Sequence, residues 1–141
     1  MIRLFERQSM RAKSFMSAGA DEWLKKAASD FRVAEYEFAR PDDPEYDAVC
    51  YHCQQCVEKL MKAVLVKNGQ TPPFTHDLIA LSRLLVSVTP KWTCDTNDLR
   101  FLSLAAVYYR YPGDTADRRH AERALSFCKI LRTKLLAILE E

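Results

Sequence analysis

Residues 45–67 run for twenty-three positions without a glycine or proline, and their apolar residues recur at helical rather than strand spacing. Val49, Cys53, Cys56, Leu60 and Ala63 make one stripe, and Cys50, Val57, Met61 and Val64 widen it. An arc that broad belongs to a central helix that touches two or more neighbours. The run stops at Asn68-Gly69, a helix-terminating pair. His52, Gln55, Lys59 and Lys62 occupy what remains of the helix and are read as its polar face.

The rest of the chain supplies partners for such a helix. Leu24, Ala27, Phe31, Ala34 and Phe38 form an amphipathic stripe that starts near Asp21, read as an N-cap, and stops at Arg40-Pro41. After Pro72-Pro73, Thr75 is expected to cap a third helix with Asp77 in its first turn and Leu78, Leu81, Leu85 and Val88 inward. A fourth helix from about Asp98 presents Leu99, Leu102, Ala106 and Tyr109, and ends near Arg110-Tyr111-Pro112-Gly113. Asp114 is expected to cap a long fifth helix, with Leu125, Cys128, Leu131, Leu135 and Ile138 inward. Short connections favour antiparallel neighbours, so the expected fold is all-α, an antiparallel bundle of about five helices.

The chain's 141 residues fit one domain and suffice for a core without disulfide or metal staples. Three glycines leave few places for phosphate-cradling loops, and neither GxGxxG nor GxxxxGK[ST] occurs. The net charge of +2 is unevenly spread. Residues 1–20 carry +3 and the other 121 carry −1, so the expected organisation is a flexible basic extension over 1–19 and a helical domain over 20–141. Seven Arg/Lys stand between Arg110 and Lys134, a local basic patch whose plain reading is a solvated helix face. No run of 18 apolar residues suggests a membrane span, and the N-terminus lacks the apolar stretch of a secretory signal.

Five cysteines, an odd number, fit reduced thiols in a cytoplasmic protein. Cys50, Cys53 and Cys56 have a spacing superficially like an iron–sulfur motif. On a helix, three-residue steps place successive thiols about 60° apart, along one arc rather than around a cluster. They are read as small core residues, with Cys94 and Cys128 likewise. His52, His76 and His120 form no zinc-binding pattern, so no metal and no cofactor are expected.

Three segments carry a resemblance. The helix over 51–63 holds His52, Gln55, Glu58, Lys59, Lys62 and Ala63 in the order H-x-x-Q-x-x-E-K-x-x-K-A. Thr75, His76 and Leu78 make a T-H-x-L helix start, and Arg110-Tyr111-Pro112 a late R-Y-P turn. In order and spacing these resemble HEPN domains over residues 21–137, nearly the whole chain. The resemblance implies an antiparallel helical domain, often dimeric, that binds a nucleotide or RNA. It also implies a minimal nucleotidyltransferase partner, in a toxin–antitoxin type of pair. The ligand-binding candidates that follow are His52, Gln55, Lys59, Lys62, His76, Arg110 and Tyr111.

The ribonucleases of the family carry Arg-x4–6-His at the start of the last helix, and this chain departs from that pattern. Nine residues separate Arg110 from His120. RNA cleavage without a metal needs a group that moves the 2′-hydroxyl proton and a cation for the developing phosphorane. The sequence therefore leaves three readings open: a nucleotide- or RNA-associated domain, a ligand-free interaction and dimerisation module, and a metal-independent ribonuclease using Arg110 and His120.

Overall fold

The structure is a computed structural model that describes residues 18–108 and 111–141. Its elements are α1 (Ala20–Phe38), α2 (Tyr46–Lys67), α3 (Leu78–Val88), α4 (Thr96–Tyr108) and α5 (Arg118–Leu139). The basic stretch 1–17 and the pair Tyr109 and Arg110 lie outside the described residues.

Among the described residues helix α2 is the centre, packed against α1, α3, α4 and α5. The reason is the breadth of its apolar arc. Val49, Cys50, Cys53, Cys56, Val57, Leu60, Met61, Ala63 and Val64 are all buried. Helix α1 covers one side with Ala27 and Ala34, and α5 another with Leu125, Cys128, Leu131 and Leu135. Leu78, Leu81 and Leu85 of α3 and Leu99 and Leu102 of α4 close the remainder. Each fully buried leucine of this kind contributes roughly 1.5–3 kcal/mol relative to an exposed one.

The C-terminus of α2 ends as its sequence requires. The amide of Gln70 donates to Leu65 O at 2.9 Å and that of Gly69 to Val66 O at 3.0 Å, a Schellman pair. Gly69 closes the pair in the left-handed region, φ 76°, which glycine enters without steric cost.

Helix starts differ from the sequence expectations. Gly19 rather than Asp21 is the N-cap of α1, and Asp21 lies in the first turn, where its charge meets the helix dipole. Asp77 caps α3, with Oδ1 accepting from Ile79 N at 2.9 Å, while the Thr75 hydroxyl accepts from Asp77 N one step earlier. Helix α4 opens at Thr96, and Asp95 Oδ1 accepts from Asn97 N at 2.8 Å. Helix α5 is capped by Asp117, not Asp114. Its reciprocal partner is His120, whose amide donates to Asp117 Oδ1 at 2.8 Å. A competing aspartate three residues along, with its own capping partner, decides where the helix begins.

The basic patch of α5 is partly absorbed into packing. The guanidinium groups of Arg118, Arg123 and Arg132 lie over the rings of Phe38, Phe101 and Phe31 at 5.1, 4.2 and 4.3 Å. Charge on these three serves cation–π contact as well as solvation.

Candidate functional site

The polar face of α2 holds two carboxylate-centred clusters. The first sits on the seam with α1. Asp30 projects from the buried stripe of α1, and its Oδ1 accepts from His52 Nδ1 at 2.8 Å. Its Oδ2 accepts from Lys59 Nζ at 2.6 Å. His52 and Lys59 are seven residues apart, two turns of α2, so one aspartate reaches both.

The second cluster is built around Glu58. Its Oε1 accepts from His76 Nδ1 at 2.8 Å and from Gln54 Nε2 at 3.2 Å. Its Oε2 accepts from Lys62 Nζ at 3.2 Å. The Gln54 amide also donates to the His76 carbonyl at 2.9 Å, so the residue before the α3 cap is tied at backbone and side chain alike. Gln55 Nε2 donates to Gln54 Oε1 at 2.7 Å and more weakly to Glu58 Oε1. Every partner of Glu58 is a donor, which is the environment a carboxylate wants when buried.

The tautomer of His76 follows from this geometry. A carboxylate oxygen only accepts, so Nδ1 carries the proton and Nε2 of the neutral ring is a bare acceptor. The ring is held on one edge and open on the other: the side chain of His76 is 83% exposed, that of Glu58 only 3%. Beside it, Tyr51, Gln54, Gln55, Ser103, Ala106 and Val107 complete the lining of a cleft of about 100 Å³ between α2 and α4. The Ser103 hydroxyl accepts from Leu78 N at 3.3 Å and keeps its own proton for donation.

The sequence-derived candidates therefore separate. Gln55 and His76 meet at the cleft, and Tyr51 lines it although it was not among the candidates. His52 and Lys59 meet on the α1 seam, about 120° and 100° around α2 from Glu58 at 100° per residue. Lys62 is not on an open face: it is 2% exposed, paired with Glu58 and 5.5 Å from the Trp23 ring. Tyr111 is exposed in the turn after α4, and Arg110 lies outside the described residues. His120, in its capping box with Asp117, is at the first turn of α5.

Sequence reading missed Asp30 and Gln54. The signal existed in both cases. Asp30 stands three residues after Ala27 and four before Ala34, within the buried stripe of α1. Gln54 lies four residues after Cys50 and three before Val57, inside the apolar arc of α2. A polar side chain at a core position must find partners there.

The thiols have a separate environment. Among the described residues the cysteines are free, and no group of three or more His, Cys, Asp or Glu side chains is arranged to hold a metal ion. The thiol of Cys128 of α5 lies beside those of Cys53 and Cys56 of α2. The Cys56 thiol is raised by its contact with Cys128 and by burial, and Cys128 by its contact with Cys53 and by burial. Burial, with Asp47 and Asp117 nearby, pushes Cys50 up to about 12. Cys50, Cys56 and Cys128 therefore lack the lowered pKa of a nucleophilic thiol.

No helix among the described residues is long and apolar enough to cross a membrane. No curated protein matches the chain. The crystal structure of TT1696 from Thermus thermophilus is similar, with a TM-score of 0.69 at 19% identity, covering 84% of this chain and 97% of that one. At that identity the likeness establishes a shared fold. The HEPN domain model matches residues 20–138, from the first residue of α1 to the penultimate residue of α5. With the helix order, the polar motif of α2 and the Thr75-His76 start of α3 all inside that match, the chain belongs to the HEPN domain family.

Proposed function

We propose that this HEPN domain is a nucleotide- or RNA-associated module, working as a homodimer beside a minimal nucleotidyltransferase in a toxin–antitoxin type of pair. The observation that supports it is the cleft between α2 and α4, into which the Glu58-held imidazole of His76 and the amide of Gln55 present polar groups. Val107 lines that cleft, and the Arg110-Tyr111-Pro112 turn follows three residues later in the chain. An arginine there brings a planar fork suited to phosphate, and Tyr111, exposed, brings a ring for a base. The membership in the family is what recommends the partner and the cytoplasmic setting.

A second reading, a ligand-free dimerisation module, is favoured by Leu104 and Val107, both exposed on α4 at 45% and 54%. The ribonuclease reading is weakened by the occupation of His120 in the α5 cap, where its ring meets Asp117.

The test is Arg110→Ala and His120→Ala, each assayed for nucleotide and RNA binding and for RNA cleavage. Arg110→Ala is expected to weaken binding, and the unmodified protein to cleave nothing. Cleavage abolished by His120→Ala would establish the ribonuclease reading instead. No binding by the unmodified protein would leave the interaction module ahead. Light scattering at micromolar concentration is expected to give twice the 16.3 kDa chain mass.

A further inference from the structure

Resting on that reading of the cleft, we propose that it takes the hydrogen-donating edge of an unpaired, amino-bearing nucleobase, and that phosphate is bound elsewhere.

The polar groups offered to the cleft are mainly acceptors. In the neutral ring of His76, Nε2 is bare because Nδ1 donates to Glu58. Gln55 spends its amide nitrogen on Gln54 and Glu58, which leaves Oε1 as the group it has to offer. Ser103 adds one hydroxyl. A ligand that satisfies two acceptors and one hydroxyl carries N–H groups at its edge, as the exocyclic amines of adenine, cytosine and guanine do.

A phosphate fits this poorly: it is chiefly an acceptor and needs several donors or cations, where Ser103 offers one hydroxyl. Among the described residues no lysine or arginine lines the cleft. The ammonium of Lys62 is directed to Glu58 beneath the surface, 3% exposed, and that of Lys59 to Asp30 on the other seam. The carboxylate behind His76 and Gln55 polarises both as acceptors and opposes a second anion.

Size and shape agree. About 100 Å³ lies well under the roughly 300 Å³ at which drug-sized sites begin, so a base fits where a whole nucleotide does not. Ala106 and Val107 give an apolar wall, and Tyr51, 39% exposed, an aromatic one. Unpaired bases are read in this manner, by edge hydrogen bonds and face contacts together.

The experiment is a titration of the isotope-labelled full chain, followed by amide and imidazole NMR signals. The probes are adenosine and cytidine, their N,N-dimethylamino counterparts, a short single-stranded RNA, and inorganic phosphate. Adenosine or cytidine is expected to shift the signals of Gln55, His76 and Ser103. Methylation of the amine is expected to weaken binding about fivefold to tenfold, the loss of one or two net hydrogen bonds. Phosphate is expected to leave those three residues unmoved. Gln55→Ala and His76→Ala, with folding checked by circular dichroism, are expected to weaken amino-nucleoside binding by a similar factor.

Equal binding of the dimethylated nucleosides, or phosphate moving the same signals, would overturn the proposal. Nucleosides or RNA that shift other residues only would also overturn it, while the nucleotide- or RNA-associated reading would stand. No response to any nucleoside or to single-stranded RNA would sink both.

Discussion

Glu58 Oε2 and Lys62 Nζ lie 3.2 Å apart, one turn along α2, with each side chain 3% exposed. A surface pair at this spacing contributes a few tenths of a kcal/mol. This one is inside the protein, so its energetics are those of a buried pair, in which removal of one partner strands the other's charge.

Lys62→Met is therefore expected to destabilise the fold by about 3 kcal/mol, the low end of the range for a broken buried pair. The low end applies because His76, Gln54 and Gln55 still donate to the carboxylate. Urea unfolding followed by circular dichroism measures it. The double variant Glu58→Leu, Lys62→Met is expected to be less damaged than the sum of the single changes. Strict additivity would mean that the two charges do not depend on one another.

Asp30→Ala removes the acceptor of both His52 and Lys59 at the α1–α2 seam. About 1 kcal/mol of stability is expected to go, the low end of the cost of unsatisfied polar groups, because both partners are half-buried. The His52 ring loses its tautomer lock at the same time. Nitrogen NMR of the imidazole should change from one tautomer to a mixture, and an unchanged spectrum would contradict the assignment.

The thiols set an alkaline limit. Cys50 rises from an ordinary 9.0 to about 12 when folded, and Cys56 and Cys128 are raised too. A raised thiol keeps its proton in the folded state while the unfolded chain has lost it. The folded state then binds more protons, so stability falls as pH rises above about 9, by about 1.4 kcal/mol per pH unit for each such thiol. For Cys50 the window closes near pH 12. Chemical denaturation at a series of alkaline pH values is expected to show this slope, and Cys50→Ala to reduce it.

Thiol labelling gives an independent check. Cys94 is half-buried and hydrogen-bonded to Ser82, while Cys50, Cys53, Cys56 and Cys128 have no exposure. A disulfide reagent at neutral pH is expected to modify Cys94 first and the other four only on unfolding. Rapid labelling of Cys53 in the folded protein would place that thiol outside the core.

Asp77→Ala is expected to cost about 1 kcal/mol, the loss of a helix cap. Thr75→Ala should cost less, because its hydroxyl serves Asp77 N rather than a helical amide. Hydrogen exchange at the Ile79 amide distinguishes the two, with faster exchange in the Asp77 variant.

Among the described residues, the helices, their order and most of their inward faces were legible in the sequence, because 3.6-residue periodicity and the Gly and Pro stops are local properties of the chain. The stripe of α2 read from Val49 to Val64 is buried as expected. Tertiary structure decided what lies opposite each polar side chain. His52 and Lys59 were legible as polar, but Asp30, their common partner, comes from 22 and 29 residues away. Lys62 was legible as part of the polar face of α2, but its burial with Glu58 against the ring of Trp23 was not. The α5 cap likewise fell to Asp117 over Asp114 because its box closes with His120, and because Asp47 of α2 accepts from Ala116 N at 2.6 Å and holds the approach to the helix. Periodicity says which face turns inward, whereas pairing depends on contacts between distant segments, which only packing brings together.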